Sequence, residues 1–277
     1  MTGMANPLLN DKAFAHAADR SPDQAGWAAP RSGEATTWNP PITDGPVSPW
    51  VGTERMTANG AMSATLMLSV LLVAGATVGW MQVTEIDGQV ASFPGWVIGA
   101  MIVGLISAVV ASFKPNFARF LAPVYAIAQG AAVGAISKVF NVKYDGIVLQ
   151  AVGATIGVFV VMLTLYRTGV VRVTDKFRRT VIGATMGLAV FYLASWIIGF
   201  FGPNLIPTGS STMSIGFSVV VAAIAAFNLA LDFDFIEQAE RQGAPKHMEW
   251  FAALGLLVTL VWLYLEILRL LAKMRDR

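Results

Sequence analysis

The chain has 277 residues, of which 55% are hydrophobic and only 13% are charged, and its mean hydropathy is +0.61. This balance lies outside the range of soluble globular proteins and predicts an integral membrane protein that contacts the lipid bilayer. The net charge is only +2, and the sequence has no basic stripe interleaved with aromatic residues, which excludes nucleic acid as a partner. The lack of cysteine excludes disulfides and thiolate chemistry.

The first sixty residues differ in composition from the rest. They hold seven of the 13 prolines, with Asp, Ser, Gly and Thr between them. Such a segment buries too little apolar surface to offset the entropy of ordering it, so we predict a flexible, disordered cytoplasmic tail over 1–60. Residues 6–20 could instead form a short amphipathic helix at the membrane surface or against a partner. The polar start of the chain predicts no cleavable signal peptide.

From residue 61 to 277, apolar runs follow one another with short connections. Each is close to the ~20 residues that a helix needs to cross a ~30 Å hydrocarbon core. The sequence therefore predicts an all-α membrane protein, a seven-transmembrane-helix bundle with spans at about 62–81, 94–113, 118–139, 146–166, 180–201, 212–232 and 250–271.

Small residues recur four positions apart in most of these predicted helices. Lipid gives helices no hydrophobic reason to associate, so close backbone approach through small residues stabilises membrane bundles. We predict tight packing within the molecule, with a face between copies of the chain as the alternative, for the pairs Gly75/Gly79, Gly95/Gly99, Gly130/Gly134, Gly153/Gly157 and Gly183/Gly187.

Loop charges predict the orientation. The loop at 167–179 carries five cations and the turn at 114–119 carries two, whereas the loop at 202–211 carries no charge. A cytoplasmic N-terminus in a bacterial inner membrane satisfies these charges. Seven spans would then place the C-terminal cations outside, so the last segment either crosses the membrane or is re-entrant. Its length favours crossing.

The candidate functional residues lie in the run FNLALDFDFIEQAERQ. Asn228 and Asp232 are four positions apart and share one helix face, whereas Asp234 and Glu237 lie on the other side, toward water or a nearby arginine. Carboxylates near a bilayer interior are costly and are kept mainly for a pathway or a switch. We therefore predict that Asp232 faces an ion pathway or senses pH, because desolvation favours its neutral form.

Three further acidic or basic residues lie in or just before the last predicted helix. Glu249 precedes this helix and is either a helix N-terminal carboxylate favoured by the dipole or a second acid that faces Asp232. Glu266 lies three residues before Arg269, and this spacing predicts an ion pair near the far interface.

Several stretches resemble, in their order and spacing, the transmembrane Bax inhibitor motif family. They are KPNFARFLAPVYAIAQGAAVGAIS at 114–137, the helix at 146–166 with the following basic loop TDKFRR, and LDFDFIE before ILRLL. The resemblance covers about residues 60–272. It implies a seven-helix membrane fold with the last helix surrounded by the others, and a pH-sensitive calcium leak.

The resemblance also implies roles for two residues. In the family, aspartates on the last two helices share a proton when the protein is closed, and Asp232 is similar in position to the first. The second aspartate's place falls on Thr259, which can donate a hydrogen bond to Asp232 but cannot share a carboxylate proton. Members can also carry a membrane arginine opposite the first aspartate, and the predicted span at 94–113 has no cation. Either Glu249 or Asp234 then substitutes for the second acid, or the activity differs.

These observations predict passive, acid-modulated conduction of calcium or another cation, without a cofactor. Asp232 would be the gate, and Asp234, Glu237 and Glu249 would form an acidic mouth at the cytoplasmic end. One alternative is a non-conducting regulator that binds a membrane protease or another membrane complex. A second alternative, an intramembrane aspartyl protease, needs a second membrane carboxylate.

No other catalytic or metal-binding motif is evident. His16 and His247 lie far apart in polar segments, so we predict no metal site. The sequence contains no Gly-x-Ser-x-Gly motif, so we predict no enzyme.

Overall fold

The computed structural model describes residues 55–199, 209 and 211–277, and in this part of the chain seven helices are long and apolar enough to cross a membrane. The predicted all-α class and the seven spans are therefore confirmed. Of the predicted flexible tail, residues 1–54 lie outside the described part of the chain. The helices are α1 (Ala58–Gln82), α2 (Trp96–Phe113), α3 (Ala118–Lys143), α4 (Ile147–Arg167), α5 (Asp175–Gly199), α6 (Thr212–Arg241) and α7 (Met248–Arg275).

A short hairpin between α1 and α2 was not predicted. Strands β1 (Thr84–Ile86) and β2 (Gln89–Ser92) pair in antiparallel orientation. They are joined by Asp87 and Gly88, which both have positive φ angles, of 52° and 72°. An Asp-Gly pair of this kind favours the tight two-residue turn whose twist matches that of paired strands.

The last helix, α7, lies at the centre of the bundle. It packs against α1, α3, α4 and α6, and two thirds of its apolar window is buried inside the molecule. The arrangement implied by the family resemblance is therefore confirmed for the described residues. α5 is the opposite case, because it packs mainly against α6 and is the least buried of the seven.

α7 crosses the whole bundle. Its first turn lies beside the start of α1, where Glu249 contacts Thr57. Its far end lies beside the end of α3, where Lys143 and Asp276 form an ion pair at 3.2 Å. α1 and α3 run parallel, so α7 begins at one end of the bundle and ends at the other. The re-entrant alternative is wrong, because a continuous helix of 28 residues spans ~42 Å.

The small-residue pairs separate into two groups. In α1 and α3 the helices meet backbone to backbone, and a Cβ atom at Gly79 or Gly134 would overlap the carbonyl oxygen of Ala131 or Ala76 respectively. Gly75 and Gly130 belong to the same contact. The remaining pairs lie in open space, with nothing within 4 Å of a Cβ, so tight packing is wrong for Gly95, Gly99, Gly153, Gly157, Gly183 and Gly187.

α6 is longer than predicted. The predicted span ends at residue 232, but the helix continues to Arg241 and carries the whole acidic run. Ion pairing and hydrogen bonding between residues four apart support the added turns, as between Gln238 and Asp234 at 2.7 Å. The helix ends at a left-handed Gly243, and the amide of Ala244 bonds to the carbonyl of Ala239 at 2.9 Å. This is the glycine-ended Schellman geometry.

The start of α1 is fixed by two carboxylates from the α6–α7 end of the molecule. Glu249 Oε1 accepts hydrogen bonds from the amide and hydroxyl of Thr57, at 3.0 and 3.1 Å. Glu240 Oε1 accepts a bond from the amide of Ala58 at 2.9 Å. The free amides and the positive dipole end of a helix N-terminus favour negative groups at this position. The last residues of the predicted tail, from residue 55 onward, thus belong to the bundle.

Candidate functional site

A cavity of about 410 Å³ lies where α5, α6 and α7 meet, toward the end of the bundle that holds the start of α1. Its apolar wall includes Phe235 and Phe251, whose rings make an edge contact at 5.9 Å. Its polar lining comes from α5 and α6 and consists of Arg178, Asn228, Asp232 and Gln238. The cavity therefore places a carboxylate, a guanidinium and two amides around one space inside a membrane bundle.

Asp232 lines this cavity from α6. The Thr259 side chain of α7 lies beside its carboxyl group, but the Thr259 hydroxyl donates to the carbonyl of Gly255 at 3.2 Å. The Oδ1 atom of Asp232 faces Gly255. Its Oδ2 is closed off from solvent and accepts no hydrogen bond from any described residue. An unsatisfied buried acceptor costs about 1–3 kcal/mol. Thr259 therefore lies beside Asp232, and the hydrogen bond between them stays a prediction.

Asn228 lies one helical turn from Asp232 and lines the same cavity, as their spacing predicts. Its amide nitrogen donates to the Thr185 hydroxyl of α5 and to the carbonyl of Ile224, both at 2.8 Å. This side chain therefore connects α5 to α6 within the apolar part of both helices. Interhelical bonds of this kind act as polar links where the surroundings offer no water.

Asp234 was expected to face water or Arg241, and it instead pairs with an arginine on another helix. Its side chain is only 13% exposed and forms an ion pair with Arg178 at the start of α5. The loop charges predict a cytoplasmic loop position for this arginine, where its charge helps to set the orientation. The pair closes the edge of the cavity near Asp232, because Arg178 belongs to both the ion pair and the cavity lining.

Glu237 lies on another side of α6. It pairs with Arg241, as expected from their spacing, and also accepts a hydrogen bond from the Tyr166 hydroxyl of α4. These residues border a second, smaller cavity of about 170 Å³ between α1, α4 and α6, whose lining also includes Glu240. α6 separates this cavity from the one that holds Asp232.

The predicted acidic mouth is not formed as one cluster. Asp234 pairs with α5, Glu237 pairs within α6 and with α4, and Glu249 bonds to the start of α1. Glu249 lies in the first turn of α7, the position that the dipole alternative predicts, but its carboxylate bonds to Thr57 at the start of α1 rather than facing Asp232. Among the described residues, no group of three His, Asp or Glu side chains could hold a metal ion.

Sequence reasoning missed Arg178, Thr185 and Gln238 as parts of this site. The signal for the first two was present, because Arg178, Thr185 and Tyr192 recur every seven residues along α5 and so lie on one face. On an otherwise apolar membrane helix, such a polar stripe indicates the side that faces protein or water.

The comparisons with known proteins agree with this architecture. A family model described as Bax inhibitor 1 like matches residues 6–276. The match takes in most of the N-terminal tail, whereas the resemblance in the motifs begins only at about residue 60. The comparison with curated proteins gives no match.

Proposed function

Because the chain belongs to the Bax inhibitor 1-like family, we propose that this multi-pass membrane protein is an acid-modulated leak for calcium or another cation. Asp232 is the ion-facing and pH-sensing residue, and the α5–α6–α7 cavity is the inner part of the pathway. The membrane is the cell inner membrane, and the N-terminus is cytoplasmic.

One observation supports the proposal most strongly, namely that Asp232, whose buried Oδ2 has no partner among the described residues, is a lining residue of a cavity in a membrane helix bundle. A structural carboxylate at this depth would be expected to have its acceptors satisfied. Acidic groups within membrane spans are rare and line ion or proton pathways. An oxygen without a partner can instead accept a proton or a hard cation such as calcium.

The charge state of Asp232 sets the direction of the pH effect. In acid the carboxyl group takes up a proton, and the neutral form does not attract a cation. In alkaline solution the carboxylate is charged, so cation flux rises with pH. The charged group that faces this cavity from α5 is Arg178, and the described residues of α7 at the cavity contribute no charge.

Thr259 takes the place of the second aspartate that the family resemblance implies. The Thr259 hydroxyl has one proton to donate, which goes to the Gly255 carbonyl at 3.2 Å, and it cannot hold a proton shared with Asp232. The switch proposed for this chain therefore rests on the single carboxyl group of Asp232.

Calcium flux into liposomes that contain the purified protein tests this function. We expect the wild type to conduct more in alkaline than in acidic buffer, and Asp232→Ala to lose this dependence. A chain that lacks residues 1–54 should conduct as the full chain does. If the tail is required and Asp232 is dispensable, the protein is instead a regulator that binds a membrane partner.

Cysteine labelling tests the orientation, because the chain has no cysteine of its own. The cationic loop between α4 and α5 predicts that Arg172→Cys is protected from an impermeant thiol reagent in intact cells. Gln89→Cys in the hairpin, at the other end of the bundle, should be labelled. The reverse pattern would overturn the orientation.

A further inference from the structure

A second buried polar cluster lies in the outer half of the interface that holds Asp232. Glu266 of α7 has a side chain that is 4% exposed, and its Oε1 pairs with Arg269 at 2.7 Å. The predicted ion pair is therefore present, but it satisfies only one oxygen. Glu266 Oε2 is buried and accepts no hydrogen bond from the described residues.

α5 contributes two hydroxyl groups to this region. The Tyr192 hydroxyl lies 3.4 Å from Glu266 Oε1 and 3.4 Å from the Arg269 guanidinium. Ser195, one turn farther along α5, is 1% exposed, and its Oγ has no hydrogen-bond partner in the described part of the chain. Two polar atoms without partners among the described residues thus lie on α5 and α7, namely Ser195 Oγ and Glu266 Oε2. The α5 side chain that contacts the Glu266–Arg269 pair is Tyr192.

α6 contributes polar groups that bond to α7 near the same end. Ser214 and Ser218 are fully buried, and Lys273 of α7 donates to the Ser218 hydroxyl at 2.9 Å and to the Ser214 carbonyl at 3.3 Å. The charged groups of the cluster are therefore Glu266, Arg269 and Lys273, all from α7. α5 and α6 supply only hydroxyl and carbonyl groups among their described residues.

The two polar regions are connected along α5. Its polar stripe contacts Asp234 through Arg178, Asn228 through Thr185, and the Glu266 pair through Tyr192. Gly255, which faces Asp232, lies eleven residues before Glu266, a distance of roughly 16 Å along the axis of α7. The contacts therefore reach from the inner cavity toward the outer end.

We propose that Glu266 is the outer cation-binding site of the same pathway, with Ser195 and Tyr192 as neutral oxygen ligands. This inference rests on the proposed conduction and adds a second site to it. Arg269 is a tethered cation that occupies Glu266 Oε1 and competes with the mobile ion. Carboxylate and hydroxyl oxygens suit a hard cation such as calcium or sodium.

The test is the liposome flux assay with Glu266→Gln, Arg269→Gln and Ser195→Ala in the full chain. Glu266→Gln should lower flux roughly tenfold, as when one charge-assisted contact is lost, without moving the midpoint of the pH profile set by Asp232. Arg269→Gln should raise flux because the competing cation is removed. Glu85→Gln, which breaks the Lys138 ion pair at the same end of the molecule, is the control and should leave flux unchanged.

Ser195→Ala separates a ligand role from a structural one. Removing a buried hydroxyl that has no partner should leave the melting temperature unchanged or raise it, yet flux should fall. Glu266→Asp keeps the charge and should retain more flux than Glu266→Gln.

Two outcomes would overturn the inference in different ways. Flux that depends on Asp232 but is unchanged in Glu266→Gln, Arg269→Gln and Ser195→Ala would remove the outer site and leave the proposed function standing. Absence of flux from wild-type protein would remove both.

Discussion

The glycine pairs spaced four apart in α1 and α3 and the same pair in α5 pack in different ways. α1 and α3 meet at their backbones, and the glycines of each leave space for the carbonyl oxygens of the other. α5 meets α6 through polar and aromatic side chains, such as Phe177 against Phe227, while Gly183 and Gly187 face open space. The difference shows that small residues permit close approach without specifying it.

The α1–α3 and α5–α6 interfaces also differ in the interactions that hold the helices together. Close backbone packing has many small contacts and little freedom to rearrange. The ion pair and the amide–hydroxyl bond between α5 and α6 lie beside a cavity. Such groups can exchange a partner for a proton or an ion at a smaller cost in free energy. We therefore place the rigid part of the molecule at α1, α3 and α7, and the responsive part at α5 and its contacts.

The largest expected effect comes from filling the α1–α3 contact. Gly79→Ala places a Cβ against the Ala131 backbone, so we expect a loss of about 3 kcal/mol in the free energy of unfolding, as for overpacked cores. Gly157→Ala in α4 adds the same methyl group where nothing lies within 4 Å, and it should not destabilise the protein. Thermal unfolding in detergent measures both. Equal melting temperatures for the two variants would contradict the assigned packing.

A smaller effect is expected at the helix N-termini. Thr57→Ala removes the hydroxyl that bonds to Glu249 and to the amide of Gly60, and should cost about 1 kcal/mol. Thr174 caps α5 in a similar way through the amide of Phe177, but α5 is peripheral. Thr174→Ala should therefore lower the melting temperature less. A larger loss for Thr174→Ala would place α5 in the rigid part.

The smallest effect on global stability is expected for Arg178→Gln. A partly exposed ion pair contributes at most about 1 kcal/mol, so the melting temperature should hardly change. Amide hydrogen exchange should rise in the first turns of α5 and remain unchanged in α1 and α3. Uniform acceleration across all helices would show that the two regions are not separate.

Much of the architecture could be predicted from the sequence because a membrane helix can be recognised from the length and apolarity of its segment alone. The seven spans and the shared face of Asn228 and Asp232 follow from these rules. The continuation of α6 could not be predicted in this way, because its last turns depend on partners such as Arg178 and Tyr166 on distant helices.

The candidate site was predictable only in part. Spacing along α6 identified Asp232, and the resemblance placed Thr259 near it. Spacing could not show that Glu249 bonds to the start of α1, because this contact joins residues 192 positions apart. The burial of Glu266 could not be predicted either, because an acid three residues before an arginine has the same spacing on an exposed helix surface as in a buried one.

The central claim is that Asp232 is the pH sensor of the cation pathway, and the pH profile of calcium flux in liposomes tests it most directly. Asp232→Asn cannot ionise, so we predict flux that stays at the low acid level of the wild type at every pH. Asp234→Asn should keep the pH dependence, because that side chain pairs with Arg178 rather than bearing the unpartnered oxygen. An unchanged profile in Asp232→Asn, or equal effects from both variants, would contradict the account.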